Sequence, residues 1–344
     1  MMQNEFVQMM QNLAPDLAAE MAQRALVLER IAAMAPVGRR QLAVKMKLTE
    51  REIRACADKL REQGFISLDP AGMALTEEGR RILPSVQSFT RALNDLSGLE
   101  EQLSSLAGVD RVCIISGDAD GDASIIDDVG RAAAVRVRGM LHSGSTLAVT
   151  GGSTMAATAR AMHSPSPLHV MVVPARGGLG RAVSTQASTL AAEIAGRLGG
   201  HHRLIHLPDY MDDAAKQEML RHPDVREVMD LLQRADVILH GVGCAEEMLR
   251  ESKLSASQAR KLLSDGAVGE AFGAYYNRDG QCLLESSSIG VDLARLSPDC
   301  RMIAVAAGKR KAEAILAVLR HDRHALLVTD EGAAREMLRL LTSN

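Results

Sequence analysis

The chain has 344 residues, enough for two or three domains, with 40 Lys and Arg against 43 Asp and Glu and a formal net charge of −3. That balance excludes a globally basic nucleic-acid binder, so any DNA contact has to be local. Apolar runs too short for a span, the lack of a secretory leader at the start, and five scattered cysteines without a CxxC pair predict a cytoplasmic chain with no membrane partner, metal or cofactor.

Residues 17–35 read as a first helix, and residues 36–83 as a DNA reader. Leu42 and Met46 mark one apolar helix face. Thr49 is an N-cap with Glu52 placed for a capping box, and Ile53, Ala57 and Leu60 recur at helical spacing up to Gly64. "FISLD" and "MALT" flank "PAG" as a hairpin, the wing, and Thr76 begins a short helix. Between 36 and 61 there are eight Lys/Arg against three acids, a local excess of five positive charges. Arg51 and Arg54 lie early on the second helix, away from its apolar stripe, and are the candidate base readers. Arg39, Arg40, Lys45 and Lys47 are candidate phosphate contacts. Double-stranded DNA is the partner this pattern suits; a solvated basic face is the alternative. The absence of Trp weakens any stacking platform for single strands. Residues 1–88 are read as the DNA-binding domain. Residues 89–108 form a helical linker in which Leu93, Leu96, Leu99, Leu103 and Leu106 make one stripe, docked on its own domain or, preferably, on a partner chain.

From 109 to 344 apolar runs alternate with helical stretches. Strands are expected at 111–116, 146–150, 168–173, 203–207, 236–240, 302–307 and 325–329. Helices are expected at 125–141, 153–163, 186–198, within 214–234, and at 246–263, 309–320 and 331–341. The pattern is α/β with a mostly parallel sheet. Strand ends carry Gly with polar residues: "SGDAD" (116–120), "TGGST" (150–154), "PARGG" (174–178) and "HGVG" (240–243). Ligands collect at such ends.

At "TGGST", Gly151 and Gly152 let backbone approach an anion, Ser153 and Thr154 add hydroxyls, and a helix N-terminus follows. This is neither a P-loop nor GxGxxG, and a plain capped turn is the alternative. Arg176 suits a bidentate phosphate contact. Lys311 is a second cation, crowded by Lys309 and Arg310. Glu270 can accept from sugar hydroxyls or cap a helix, Gln186 is a neutral donor, and Asp118 reaches the rim or fixes its own turn. "NRDG" (277–280) reads as a hairpin turn. Catalysis lacks a placed acid–base pair: "GVG" runs into "CAEEM", His240 reads as core, and His201 and His202 as a surface turn.

The words "PVGRRQLA", "VTGGST", "VPARGGLG", "EAFGAYYNRDG", "KAEAI" and "LVTDEGAA" resemble the SorC (sorbitol-operon regulator) family of sugar-binding transcriptional regulators, nearest its central glycolytic genes regulator branch. The resemblance covers nearly the whole chain. It implies a winged helix-turn-helix and an effector domain of the fold shared with glucosamine-6-phosphate deaminases and ribose-5-phosphate isomerases. It also implies homo-oligomers, dimers or tetramers. A phosphorylated sugar, fructose-1,6-bisphosphate in the glycolytic branch, would tune a repressor's grip on its operator. Position by position, it makes Gly151, Gly152, Ser153, Thr154, Arg176 and Lys311 phosphate contacts and Gln186 and Glu270 polar residues of the pocket. The chain departs from the family at "AGKR", where relatives often carry "GGSS", and at Arg250–Glu251, where the close branch is doubly basic. The second departure removes positive charge that a second phosphate would use. A sugar-phosphate isomerase or deaminase of the same fold is the rival reading.

Overall fold

The computed structural model describes residues 2–343 apart from 178–181, 206, 208–211, 253 and 286–287; side chains at 2–6, 8 and 213 are likewise outside the description. Two compact units divide the chain, Met1–Gly98 and Leu99–Asn344.

The first unit holds α1 (Met2–Leu13), α2 (Pro15–Met34), α3 (Arg39–Met46), α4 (Glu50–Glu62), β1 (Ile66–Asp69), β2 (Gly72–Leu75) and α5 (Glu77–Leu93). Its core joins Leu28 and Ile31 of α2, Leu42 of α3, Ile53, Ala57 and Leu60 of α4, and Ile66 and Met73 of the hairpin. Lys47 ends α3 in the left-handed conformation, and the Thr49–Glu52 capping box starts α4. That box satisfies amide donors the helix leaves free and sets the tight turn of a helix-turn-helix. β1 and β2 pair antiparallel as the wing. The helix after Thr76 is not short: it runs seventeen residues.

The leucine segment is not one stripe. α5 ends at Leu93, Asp95 takes a left-handed φ of 48°, and α6 (Leu96–Ala107) begins afresh. Leu96, Leu99 and Leu103 are buried, whereas Leu106 is half exposed.

The second unit continues with β3 (Val112–Ile115), α7 (Ile125–Met140), β4 (Thr146–Val149), α8 (Ser153–Ala161), β5 (Met171–Pro174), α9 (Ala187–Leu198) and β6 (His201–His202). Then come α10 (Asp213–Arg221), α11 (Pro223–Gln233), β7 (Val237–Gly241), β8 (Gly243–Cys244), α12 (Ala245–Glu251) and α13 (Ala256–Ser264). It closes with β9 (Ala267–Ala271), β10 (Ala274–Asn277), β11 (Cys282–Leu284), β12 (Arg301–Val305), α14 (Ala312–His321), β13 (Leu326–Asp330) and α15 (Glu331–Thr342).

Seven strands form a parallel sheet in the order β3-β13-β12-β7-β4-β5-β6. Leu147, Val149, Val172, Leu239 and Val305 face one core with Val129 and Ala133 of α7, Met155 of α8 and Leu190 and Ile194 of α9. The intervening Ala148, Ile238, Ala304 and Leu327 are buried as well, as expected of a parallel sheet covered on both faces. A smaller antiparallel sheet, β11-β10-β9-β8, carries the "NRDG" hairpin.

Several expected boundaries move. The strand expected at 203–207 forms instead at His201–His202, where His201 donates its amide to Val170, so these histidines sit on an edge strand and not a turn. His206 of that expected strand, and Gly178 of the 174–178 strand end, lie outside the described residues. The helix expected over 246–263 is two, because Ser255 opens α13 with its own capping box to Gln258. Pro223 likewise splits α10 from α11. The basic run Lys309–Lys311 is a single 3₁₀ turn ahead of α14.

Candidate DNA interface and effector cavity

All six candidate DNA contacts are exposed: Arg39 and Arg40 at the start of α3, Lys45 near its end, Lys47 in the turn, and Arg51 and Arg54 on α4. Arg40 approaches Glu50 at 3.8 Å. Arg51 and Arg54 have no ion pair among the described residues and stand on the first two turns of α4, opposite buried Ile53, Ala57 and Leu60. The wing tip is held by Asp69, whose carboxylate accepts from the amides of Ala71 and Gly72 at 2.9 and 3.1 Å.

In the second unit the parallel sheet reverses direction between β4 and β7. β4 leads outward to β5 and β6, whereas β7 leads back to β12 and β13. The crevice beyond the carboxyl ends of such a pair is where open α/β sheets receive ligands. Gly151 and Gly241 meet there. A Cβ on Gly151 would lie 2.5 Å from the Thr185 carbonyl oxygen, so only glycine fits. Gly152, with φ of 125°, caps α8, and its amide donates to Thr185 at 2.9 Å. That bond brings Gln186, the N-cap of α9, beside the glycine turn. It also uses the Gly152 amide internally. The amides left without intrahelical acceptors are those of Ser153, Thr154 and Met155.

A cavity of about 210 Å³ opens at this point, lined in part by Ser153, Thr154, Lys311, Arg310, Asp120, Glu247 and Cys244. The Thr154 hydroxyl is buried and donates to the Val305 carbonyl at 3.0 Å, so it ties α8 to β12. Lys311 donates from Nζ to the Val242 carbonyl at 3.0 Å. Among the described residues this ammonium has no carboxylate within ion-pair distance. Burial pushes the Cys244 thiol above its usual range, with Glu247 adding to the shift, which disfavours a thiolate at the rim.

Arg176 and Glu270 pair with each other at 3.8 Å, and neither lines that cavity. Glu270 accepts from the Gly273 amide at 2.6 Å. Burial raises its carboxyl above the ordinary value, opposed by Arg176, the Gly273 amide and Lys311. The residues singled out from the sequence thus form two neighbouring groups. One is the glycine turn with Ser153, Thr154 and Lys311; the other is the Arg176–Glu270 pair.

Sequence reasoning missed Asp120 and Glu247 on the cavity wall, and also Asp330. Asp330 is buried and accepts amides from Ala119 at 2.7 Å, Gly308 at 2.9 Å and Ala333 at 3.3 Å. It welds three strand-end loops together, and its only sequence signal is the N-cap position in "TDEG". Asp118 holds its own turn through the Asp120 amide at 2.9 Å. His240 is buried, as expected. Its Nε2 lies 2.9 Å from Nε2 of buried His324, and its ring packs on Phe272 at a tilt of 38° with centroids 4.6 Å apart. Phe272 itself has a left-handed φ of 55° in the turn between β9 and β10.

A cationic helix-turn-helix on one unit and a polar cavity at the switch point of a parallel sheet on the other define a ligand-responsive DNA-binding protein. Residues 21–90 match the model of the "CggR N-terminal DNA binding domain", and residues 91–339 that of a "Putative sugar-binding domain". The chain belongs to the SorC family of sugar-binding transcriptional regulators. Over 336 residues it is 37% identical to the central glycolytic genes regulator of Priestia megaterium, covering 97% of this chain and 98% of that one. The Bacillus subtilis regulator of the same name is 35% identical over 337 residues, covering 98% and 99%. An Enterococcus faecalis protein assigned to the SorC family superposes with a TM-score of 0.65 at 33% identity, over 70% of this chain and 99% of that one. The full-length sorbitol operon regulator of Klebsiella pneumoniae, 19% identical, shares the fold with a TM-score of 0.63 over 88% and 94%. This chain is therefore a sugar-responsive transcriptional regulator, with DNA as partner of its first unit and a sugar as ligand of its second. No described helix is long and apolar enough to cross a membrane.

Proposed function

We propose that the protein is a cytoplasmic repressor of central glycolytic genes that binds its operator as a homodimer or tetramer. A phosphorylated sugar sets its operator affinity, with fructose-1,6-bisphosphate as the first candidate. The observation carrying the effector reading is the α8 N-terminus facing a cavity shared with Lys311, which among the described residues has no carboxylate within ion-pair distance. Free helix amides, the positive end of the helix dipole and one ammonium make an anion subsite.

On this reading the phosphate rests on the Gly151–Thr154 turn against Lys311. Arg176 exchanges Glu270 for ligand, Glu270 accepts a sugar hydroxyl, and Gln186 supplies a neutral donor. Residues 1–88 read the operator, 89–108 link, and 109–344 sense. Arg51 and Arg54 contact base edges, while Arg39, Arg40, Lys45 and Lys47 contact phosphates. The sugar acts only through a difference in affinity between two states of the protein, so operator DNA must change sugar affinity by the same factor.

The test is calorimetry with fructose-1,6-bisphosphate, fructose-6-phosphate and dihydroxyacetone phosphate, with and without operator duplex. Lys311→Met is expected to abolish the response while leaving sugar-free operator binding intact. Full sugar affinity in that variant would move the site elsewhere.

A further inference from the structure

Arg310 stands in the 3₁₀ turn ahead of α14, and the structure gives it two acidic partners. Its backbone amide donates to Oδ2 of Asp120 at 2.9 Å, and its Nε to Oδ1 of the same carboxylate at 3.0 Å. Its Nη1 reaches Glu247 Oε1 at 3.3 Å. All three residues line the cavity beside Lys311. The two neighbouring cations therefore differ in kind. Lys311 bonds a neutral carbonyl and makes no ion pair among the described residues, whereas Arg310 is paired with two carboxylates.

A first phosphate on the α8 N-terminus meets helix amides and the Lys311 ammonium, which makes no ion pair among the described residues. A second phosphate approaching the Arg310 wall meets two acids for one base. Hydroxyl groups, by contrast, can donate to Asp120 and Glu247 at no Coulombic cost.

We propose that Asp120 and Glu247 are specificity-determining residues of the effector cavity: they disfavour a second phosphate on this wall and accept sugar hydroxyls, and so narrow the advantage of a bisphosphate over a monophosphorylated sugar. This rests on the reading that a phosphosugar occupies the cavity. Two carboxylates near a phosphate dianion in a water-exposed, salt-screened site correspond to roughly a five-fold change in relative affinity.

The experiment titrates fructose-6-phosphate and fructose-1,6-bisphosphate into the full-length protein and reads the ratio of the two dissociation constants. Asp120→Asn with Glu247→Gln removes both charges while keeping one acceptor oxygen at each position, at the loss of one of the two Asp120 bonds to Arg310; it is expected to move the ratio about five-fold toward the bisphosphate. Arg310→Met removes the compensating cation and is expected to move it toward the monophosphate. Glu247→Gln alone, on the exposed side of α12, gives a smaller shift in the first direction and guards against misfolding of the double variant. A ratio that stays constant across these variants while both sugars bind overturns the specificity assignment and leaves the cavity reading standing. Absence of binding by either sugar to the parent protein overturns both.

Discussion

The buried His240–His324 pair makes stability depend on pH in a way that can be worked out. Nδ1 of His324 lies 2.7 Å from the Asp322 carbonyl and therefore carries a proton. Nδ1 of His240 lies 3.1 Å from the Gly241 carbonyl and its Nε2 lies 2.9 Å from Nε2 of His324, so the single proton of a neutral His240 serves one of these two contacts. Burial depresses His240 to about 3, with the neighbouring ring adding to the effect. His324 is lowered too, mainly by burial. An unfolded histidine titrates near 6.5. As pH falls below 6.5, the unfolded chain takes up a proton that the folded chain refuses, so stability present above 6.5 is lost toward 3. Between pH 7 and pH 5 the loss assigned to His240 is about 2 kcal/mol. His240→Gln offers an N–H to His324 and does not titrate, but gives up the ring packing on Phe272, worth about 1 kcal/mol. The expected result is a variant about 1 kcal/mol less stable than the parent at pH 7 and about 1 kcal/mol more stable at pH 5, a relative change of about 2 kcal/mol. The chain has no Trp, and its three Tyr, at 210, 275 and 276, all lie beyond residue 98. Urea unfolding followed by tyrosine fluorescence at several pH values therefore reports the second unit. A stability gap that stays constant from pH 7 to pH 5 would refute the neutral buried pair.

Gly151→Ala drives a Cβ into the Thr185 carbonyl and breaks its bond from Gly152, so a destabilisation of about 2 to 4 kcal/mol with loss of sugar binding is expected in paired melting and calorimetry runs. Thr154→Val leaves the buried Val305 carbonyl without its donor and should cost about 1 to 3 kcal/mol, read by urea unfolding. Arg51→Ala or Arg54→Ala should lower operator affinity by about 1 to 3 kcal/mol while barely affecting scrambled duplex; equal losses on both would remove the base-reading role. Lys45→Ala and Lys47→Ala should instead weaken both duplexes alike and flatten the salt dependence.

The reader was legible because its signals are local. The capping box at Thr49 and Glu52, the stripe Ile53–Ala57–Leu60 and the hairpin at 66–75 each lie within a few residues of their partners. The parallel sheet was legible too, since strands buried on both faces read as continuous apolar runs. Boundaries failed where two structures competed for one pattern. Leu93 to Leu106 keeps helical spacing across a break that only the backbone at Asp95 reveals. The stretch 246–263 stays helix-compatible across the Ser255 cap. In the cavity, Ser153, Thr154 and Lys311 were visible as types near strand ends. What the sequence did not show is what each group is already bonded to. Nothing in "GGST" indicates that Thr154 spends its proton on Val305, 151 residues later. Nothing in "SGDAD" indicates that Asp120 faces Arg310 across 190 residues.

That long closure has a consequence for how the chain comes off the ribosome. The helix-turn-helix is complete within the first hundred residues and built from near neighbours, so it can fold early in synthesis. The cavity needs α8, near residue 153, and Lys311 together, with β12 laid between β7 and β13 to hold them. A chain stopped anywhere before residue 301 therefore carries a DNA reader without a sensor. Molecules clipped there would keep the exposed cations of the reader and lose the cavity, so sugar would leave whatever DNA binding they retain unchanged.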